Sequence, residues 1–431
     1  MAKRKAAQKT WTVLVYMAGD NDLDFAGVAD LEEMKRAGSS RSVNIVVQFD
    51  RAGAGRKTHR YLVRKGTTLP ADVVQSLGET NTGDPRVLED FVTWGMRTYP
   101  AKRYLLVLWN HGSGWDDANV FEGNAFSGSL PPVVRGPLVV ANAAGRGRGT
   151  LSSGQVRSAL RRNRSALFRT SVRAAVSTRA IAFDDDAQDF LDNVEIRKVL
   201  ARVKARLGRK IDVLGLDACL MGMLEVAFQV RGTAAFAVGS QETEPAEGWP
   251  YDRILKALVA RPAMSARALS DRIVREYLAS YPPGEIVTQS AVDLARVEPV
   301  ATAVDRLAKA LVRLKGDPAV IAGVRSARDQ VQEYSEPYDE YVDLVDLAEL
   351  IAKHVGDVAV GAACRSVVSA VRTCVVATGF RGKEVAHSRG LSIYFPKRKM
   401  SPLYDRLEFS GKNAWGAWVR TYLGAIGRRP R

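Results

Sequence analysis

Two segments of this chain end an apolar run at a side chain able to do covalent chemistry. Leu105-Leu106-Val107-Leu108-Trp109 stops at Asn110-His111-Gly112-Ser113-Gly114, and Ile211-Asp212-Val213-Leu214-Gly215-Leu216 stops at Asp217-Ala218-Cys219. A thiol beside an imidazole is a nucleophile with its own proton-transfer partner. Each run is short, rich in branched residues and closed by polar or glycine residues, which reads as a strand buried on both faces of a parallel sheet. Chemistry in such sheets collects beyond the carboxyl ends of the strands. If the two strands are neighbours, His111 and Cys219 meet at that edge.

The surrounding elements alternate in the way such a sheet requires. Trp11 to Ala18 reads as a strand, Asp24 to Arg36 as a helix with Phe25, Val28, Leu31 and Met34 at helical spacing, and Ser42 to Asp50 as a second strand. His59 to Lys65 reads as a short edge strand. Asp84-Pro85 opens a helix whose buried stripe is Val87, Leu88, Phe91 and Met96. Helices are expected over 194–207 and from Met221 to Val230, with a strand at Ala235 to Ser240. This alternation predicts an α/β fold, a mostly parallel sheet with helices on both faces. Beyond Tyr251 the pattern turns helical, near 265–280, 297–314, 318–333 and 342–355, with strands at Ile286 to Asp293, Cys374 to Thr378 and Gly390 to Phe395. The organisation expected is a basic tail over 1–10, an α/β domain over 11–250, and a mainly helical, mixed C-terminal domain over 251–431. No repeat stands out at periods of 20 to 50 residues.

At 431 residues and 46% hydrophobic content the chain can bury a sizeable core. No apolar stretch approaches the roughly 20 residues that span a bilayer. The basic start, Met1 to Lys9, runs into a strand without a small-residue cleavage site, so no export signal is expected and a cytoplasmic location follows as the default. Three cysteines, Cys219, Cys364 and Cys374, form no CxxC pair, which argues against a zinc site or a disulfide framework and for one special thiol. Much of the +16 net charge is local. Between Ala118 and Ala182 there are ten arginines and one acid, Glu122, in an insert whose first part is rich in Gly, Ala, Ser and Pro. Charge runs are usually solvated faces, so a nucleic-acid role takes a minor place.

Four ordered motifs carry a family resemblance: Thr12 to Leu23, Asn110 to Trp115, Asp217 to Met221, and Ser240 to Pro245 with Gly248-Trp249. Gly390 to Pro396 adds a late segment. Together they resemble the clostripain-type cysteine peptidases, relatives of caspases, legumains and gingipains. The resemblance implies a caspase-like sheet, a Cys219 and His111 dyad, cleavage after a basic residue, and oxyanion contacts from the backbone N–H groups of Gly112 and Cys219. A site at a strand end before a helix start also favours the thiolate of Cys219, whose ordinary pKa of ~8.5 leaves it only slightly ionised at neutral pH.

A basic substrate side chain needs a carboxylate partner once water is removed. Asp217, two residues before Cys219, shares its direction by strand alternation and is the expected pocket floor, as in the family. Asp20, Glu244 and Glu247 are further acids at the same edge. Glu247 stands before Gly-Trp where the family commonly has Asp, and arginine is expected ahead of lysine. Asp22 reads as a cap on the following helix. His387 is a minor competitor for the catalytic histidine, while His59, His354, Cys364 and Cys374 read as structural. No cofactor is required and no metal ligand is assigned. Calcium is admitted by the resemblance at Asp184-Asp185-Asp186, although three adjacent acids in a turn are more often only solvated. Relatives often cut themselves between the His and Cys motifs, which makes the insert a cleft cover with Arg135, Arg146 and Arg148 as cut sites. Expected partners are protein or peptide substrates with basic residues, with room for a regulatory protein and none for a membrane. The alternative is a basic nucleic-acid or partner-binding module on a protease-like scaffold.

Overall fold

The longest apolar runs become the middle of one sheet. The structure, a computed structural model, describes residues 8–53, 55–112, 114, 181–184, 187, 189–334 and 340–427. Its strands are β1 (Lys9–Gly19), β2 (Val43–Arg51), β3 (Thr58–Leu62), β4 (Val73–Gly78), β5 (Ala101–Trp109), β6 (Ile181–Asp184), β7 (Asp189–Leu191), β8 (Ile211–Asp217), β9 (Ala234–Gly239), β10 (Val287–Asp293), β11 (Glu333–Tyr334), β12 (Tyr341–Asp343), β13 (Val375–Arg381) and β14 (Ser392–Tyr394). Nine of them form a sheet in the order β13-β10-β9-β8-β5-β1-β2-β3-β4. The five central strands, β9 to β2, run parallel. Antiparallel pairs complete both flanks.

Successive residues of these strands feed two cores. Leu14, Tyr16, Leu106 and Leu214 face one side, against helices Pro85–Thr98 and Asn193–Leu207. Val13, Val15, Leu105 and Val213 face the other, against helices Asp24–Ala37, Tyr251–Ala260 and Ala266–Ser280. Covering both faces is what makes the runs continuously apolar, and each fully buried branched side chain contributes about 1.5–3 kcal/mol. Asp84 accepts the Arg86 N–H at 2.8 Å ahead of Pro85, and Asp192 with Glu195 closes a capping box, so both helices start where their sequences direct.

Several expectations shift. The segment after His59 is not an edge: β3 is covered by β4, whose half-exposed residues and irregular register hide it from pattern reading. Residues 251–431 are mainly helical, yet β10 and β13 extend the central sheet, so the division near 250 falls within a continuous sheet. β11, β12 and β14 make a small sheet of their own, and β6 pairs with β7 in another. Helices Tyr251–Ala260, Val358–Cys374 and Trp415–Ile426 were not anticipated. Among the described residues no helix is long and apolar enough to cross a membrane.

The chain passes from β1 to β2 on one side, then returns to place β5, β8 and β9 on the other. The loops leaving β1 and β5 therefore diverge, and the carboxyl edge beside them is the topological switch point.

Candidate active site

Parallel pairing sets Trp109 of β5 opposite Asp217 of β8. His111 and Cys219 each follow two residues later, so both leave the sheet at one level. The Asn110 N–H continues the ladder onto the Asp217 carbonyl at 3.3 Å. Gly112 then lies directly on the Cys219 backbone: a Cβ there would sit 2.5 Å from the Cys219 carbonyl oxygen and 2.9 Å from its nitrogen. Glycine is required by this close approach. The sulfur of Cys219 accepts the Glu244 N–H at 3.2 Å, and the Gly112 N–H also bonds to it.

The turn after Cys219 is pinned from outside. Leu220 adopts φ +62°, the left-handed region, alone among the described non-glycine residues. Its N–H donates to the Glu242 carbonyl at 3.2 Å, the Gly222 N–H to Ser240 at 2.6 Å, and the Ser392 N–H of β14 to Gly222 at 2.9 Å. The late motif thus buttresses the Cys219 turn.

Two expectations about the reactive pair are corrected here. Cys219 is only 7% exposed, and burial pushes its thiol up to about 12. The N–H groups of Glu244 and Gly112 pull the other way, and the charges of Glu244 and Glu242 add to the rise. No helix dipole offsets this, because the following helix, Leu224–Val230, begins five residues later and has only seven residues. His111, in turn, places Nε2 at 2.6 Å from Oδ1 of Asp22. Asp22 does not cap the helix, which starts after Leu23 with no side-chain cap bond, while Asn21 takes the Leu23 N–H at 2.9 Å. Asp22 was missed as a histidine partner, although its place beyond β1 mirrors that of His111 beyond β5.

Asp217 and Glu244 meet beneath the thiol. Asp217 accepts from the Tyr251 hydroxyl at 2.7 Å and from the Trp249 N–H, and its side chain bonds to that of Glu244. Glu244 accepts from Gln289 Nε2 at 3.2 Å. Gly248, at φ +51°, edges the pair, since a Cβ there would lie 3.2 Å from Asp217 Oδ1. Burial raises Asp217 to about 6, against the pull of the Tyr251 hydroxyl, and raises Glu244 well above the usual carboxylate range, with the Asp217 charge adding. Tyr281 closes over this floor, its hydroxyl donating to the Gly248 carbonyl at 2.9 Å and its ring 4.9 Å from that of Tyr277. Glu247 is half-buried in the same loop and its charge bears on Tyr281. Asp20 is buried at the tip of β1, which β5 separates from β8.

The remaining candidates fall elsewhere. His387 bonds Asp346 at 3.1 Å, and His354 bonds Gln330 at 3.1 Å. Cys364 and Cys374 are buried, each raised to about 12 by desolvation. Arg135, Arg146, Arg148, Asp185 and Asp186 lie outside the described residues, as does the side chain of Asp184. Among the described residues no group of three or more His, Cys, Asp or Glu could hold a metal ion. A surface hollow of about 490 Å³ is lined by Arg296, Arg365, Ser366 and Ser369, none of which belongs to this edge.

A family model described as the Clostripain family matches residues 15–126 and 169–420. Clostripain of Hathewaya histolytica is 24% identical over 276 residues, 58% of this chain but only 42% of that protein, so the match spans less than half of the curated relative's length. A secreted C11 cysteine protease from Bacteroides thetaiotaomicron, solved with an irreversible peptide inhibitor, superposes with TM-score 0.60 at 18% identity, covering 95% of this chain and 99% of that one. An inactive zymogen C11 protease from Parabacteroides distasonis gives 0.62 at 18% identity, with the same coverage. Likeness at this identity establishes the caspase-like α/β fold.

Proposed function

This chain belongs to the clostripain family, and from that premise we propose that it is a cysteine endopeptidase cutting after arginine, and less readily after lysine, with Cys219 as nucleophile and His111 as proton carrier. The observation that carries the reading is the seating of Gly112 on the Cys219 backbone, which brings two N–H donors and the sulfur to one point at the β5 and β8 ends. In the reaction, the sulfur attacks the scissile carbonyl carbon as the thiol proton passes to His111. The N–H groups of Gly112 and Cys219 then bond the developing oxyanion. His111 gives its proton to the leaving amine, and water, deprotonated by the same ring, hydrolyses the acyl-enzyme. Asp22 holds the ring through Nε2, which leaves Nδ1 to carry the proton.

Asp217 is the carboxylate that receives the basic side chain, with Glu244 and Glu247 at the same pocket. The arginine-rich insert between His111 and Cys219 supplies self-cleavage sites at Arg135, Arg146 or Arg148, and no step requires calcium or another metal. Hydrolysis of arginyl, lysyl and aspartyl fluorogenic peptides by the full chain, alongside Cys219→Ala, tests the reading. Arginyl turnover that vanishes in the variant supports it. Activity that survives Cys219→Ala, or a preference for the aspartyl peptide, overturns it. Intact-mass analysis of both proteins reports self-cleavage, and fragments that persist in Cys219→Ala exclude it.

A further inference from the structure

The two acids beneath the nucleophile are not equivalently supplied with donors. Asp217 receives the Tyr251 hydroxyl and the Trp249 N–H, as a buried carboxylate should. Glu244 receives one amide, Gln289 Nε2, on Oε1, and the Trp249 ring N–H faces its side chain without reaching hydrogen-bonding geometry at the buried Oε2. Neither acid has a lysine, arginine or histidine partner there. Their side chains nonetheless bond to each other, which two carboxylates cannot do, since both would only accept.

We propose that Glu244 serves the substrate pocket as a neutral carboxylic acid that donates its proton to Asp217, so that the pair presents a single, fixed negative charge to the basic side chain of the substrate. This rests on Asp217 being the pocket floor. Glu244 is then a positioning residue that fixes the Asp217 carboxylate.

Every group facing the pair favours one retained proton. Tyr251 from helix Tyr251–Ala260, Tyr277 from helix Ala266–Ser280, Tyr281 just beyond it and Gln289 of β10 are neutral. Asp30, Glu242, Glu247 and Cys219 can contribute only negative charge. Burial raises both acids and the Asp217 charge adds to the rise at Glu244, whose Oε2 lacks a donor in hydrogen-bonding geometry, so the shared proton is assigned to it. The arrangement also has a use. The Glu244 N–H touches the sulfur of Cys219 at 3.2 Å, and an ionised Glu244 side chain is one of the charges that raise the thiol. A neutral Glu244 leaves the one charge a guanidinium needs and spares the nucleophile a second.

The test uses the full chain and the pH dependence of kcat/KM on an arginyl peptide. Glu244→Gln keeps a donor toward Asp217 and is expected to cost no more than about fivefold, with the acid limb retained. Glu244→Ala removes the donor and is expected to cost about thirtyfold, chiefly in KM, and Asp217→Asn at least about 100-fold. Glu244→Gln as damaged as Asp217→Asn would mean that two charges are needed, and the proposal fails. A second readout needs no substrate. Infrared difference spectra of Cys219→Ala with and without Glu244→Gln should carry a protonated-carboxyl stretch at pH 7.5 that the Gln variant lacks, and its absence overturns the proposal. If Asp217→Asn instead leaves arginyl hydrolysis intact while that band is present, the pocket assignment is what has failed.

Discussion

Gly112→Ala probes the contact on which the whole site is built. The added methyl would sit 2.5 Å from the Cys219 carbonyl oxygen, 2.7 Å from the Ala218 Cβ and 2.9 Å from the Cys219 nitrogen. Two of these are backbone atoms and the third is a methyl with no rotamer to change, so nothing can swing aside. Restoring an ordinary contact of 3.4 Å requires the ends of β5 and β8 to part by about 0.9 Å. The Cys219 turn is held on its far side by Leu220 on Glu242 and Gly222 on Ser240, which throws most of the movement onto residues 110–112. Overpacking of this kind costs about 1–3 kcal/mol of stability. A catalytic group misplaced by 1 Å costs about 100-fold in rate. The expected outcome is a kcat lower by about 100-fold, a KM changed far less because the proposed substrate-binding carboxyls, Asp217 and Glu244, are untouched, and a melting temperature lower by a few degrees. Steady-state kinetics on an arginyl peptide, a thermal melt and titration of the Cys219 thiol separate the three effects. An alanine variant with wild-type kcat would show that Gly112 does not supply the oxyanion contact, and the reasoning would be refuted.

Asp22→Asn should lower kcat by about tenfold, a modest effect because Asp22 is half-exposed and water partly replaces it; an unchanged pH–rate profile would exclude Asp22 as the group that orients His111. Alkylation of Cys219 by iodoacetamide, without substrate, should be slow at pH 7 and still climbing at pH 10, since a thiol raised to about 12 is almost wholly protonated below that. A plateau near neutrality would reveal a preformed thiolate instead. Glu225, which accepts from the Tyr394 N–H and the Tyr404 hydroxyl at 3.0 Å each, is raised by burial to about 7. Its folded form holds the proton more tightly than the unfolded chain, so its stabilising contribution is complete below the ordinary carboxyl range and is lost as pH rises through 7. Urea unfolding at pH 5 and 8 should therefore show Glu225→Gln matching the wild type at the lower pH and exceeding it at the higher by up to about 3 kcal/mol; equal stabilities at pH 8 would count against the buried, protonated acid.

What the sequence made legible was whatever is buried on both faces. β1, β5 and β8 carry unbroken apolar stretches, Val13 to Ala18, Leu105 to Trp109 and Val213 to Leu216, because helices cover them on either side, and the abrupt ends of those stretches located His111, Cys219 and Asp217. β4 escaped because its residues are half in water, and helix Val358–Cys374 because its β-branched valines and internal Gly361 lower its helical propensity. The Asp22 and His111 contact was hidden for a different reason. It depends on β1 lying next to β5, a matter of strand order that local pattern cannot express. The state of the thiol was hidden too, because the burial that raises it comes in part from residues 242–244, more than twenty positions away along the chain.

In the proposed reading, that distant loop joins recognition to reactivity. Beyond desolvation, the Glu242 charge helps hold the Cys219 proton in place, while Glu244, neutral in the proposed pair, belongs to the carboxyls that would receive a basic side chain. A guanidinium seated on Asp217 brings a positive charge into the same low-dielectric region, where Coulomb interactions are several times stronger than in water. It therefore offsets the negative field at the sulfur at the moment the scissile carbonyl arrives. On this argument a neutral resting thiol is compatible with catalysis: the substrate that fits the pocket supplies the charge that makes proton transfer to His111 easier, and one that lacks a cation leaves the nucleophile protonated.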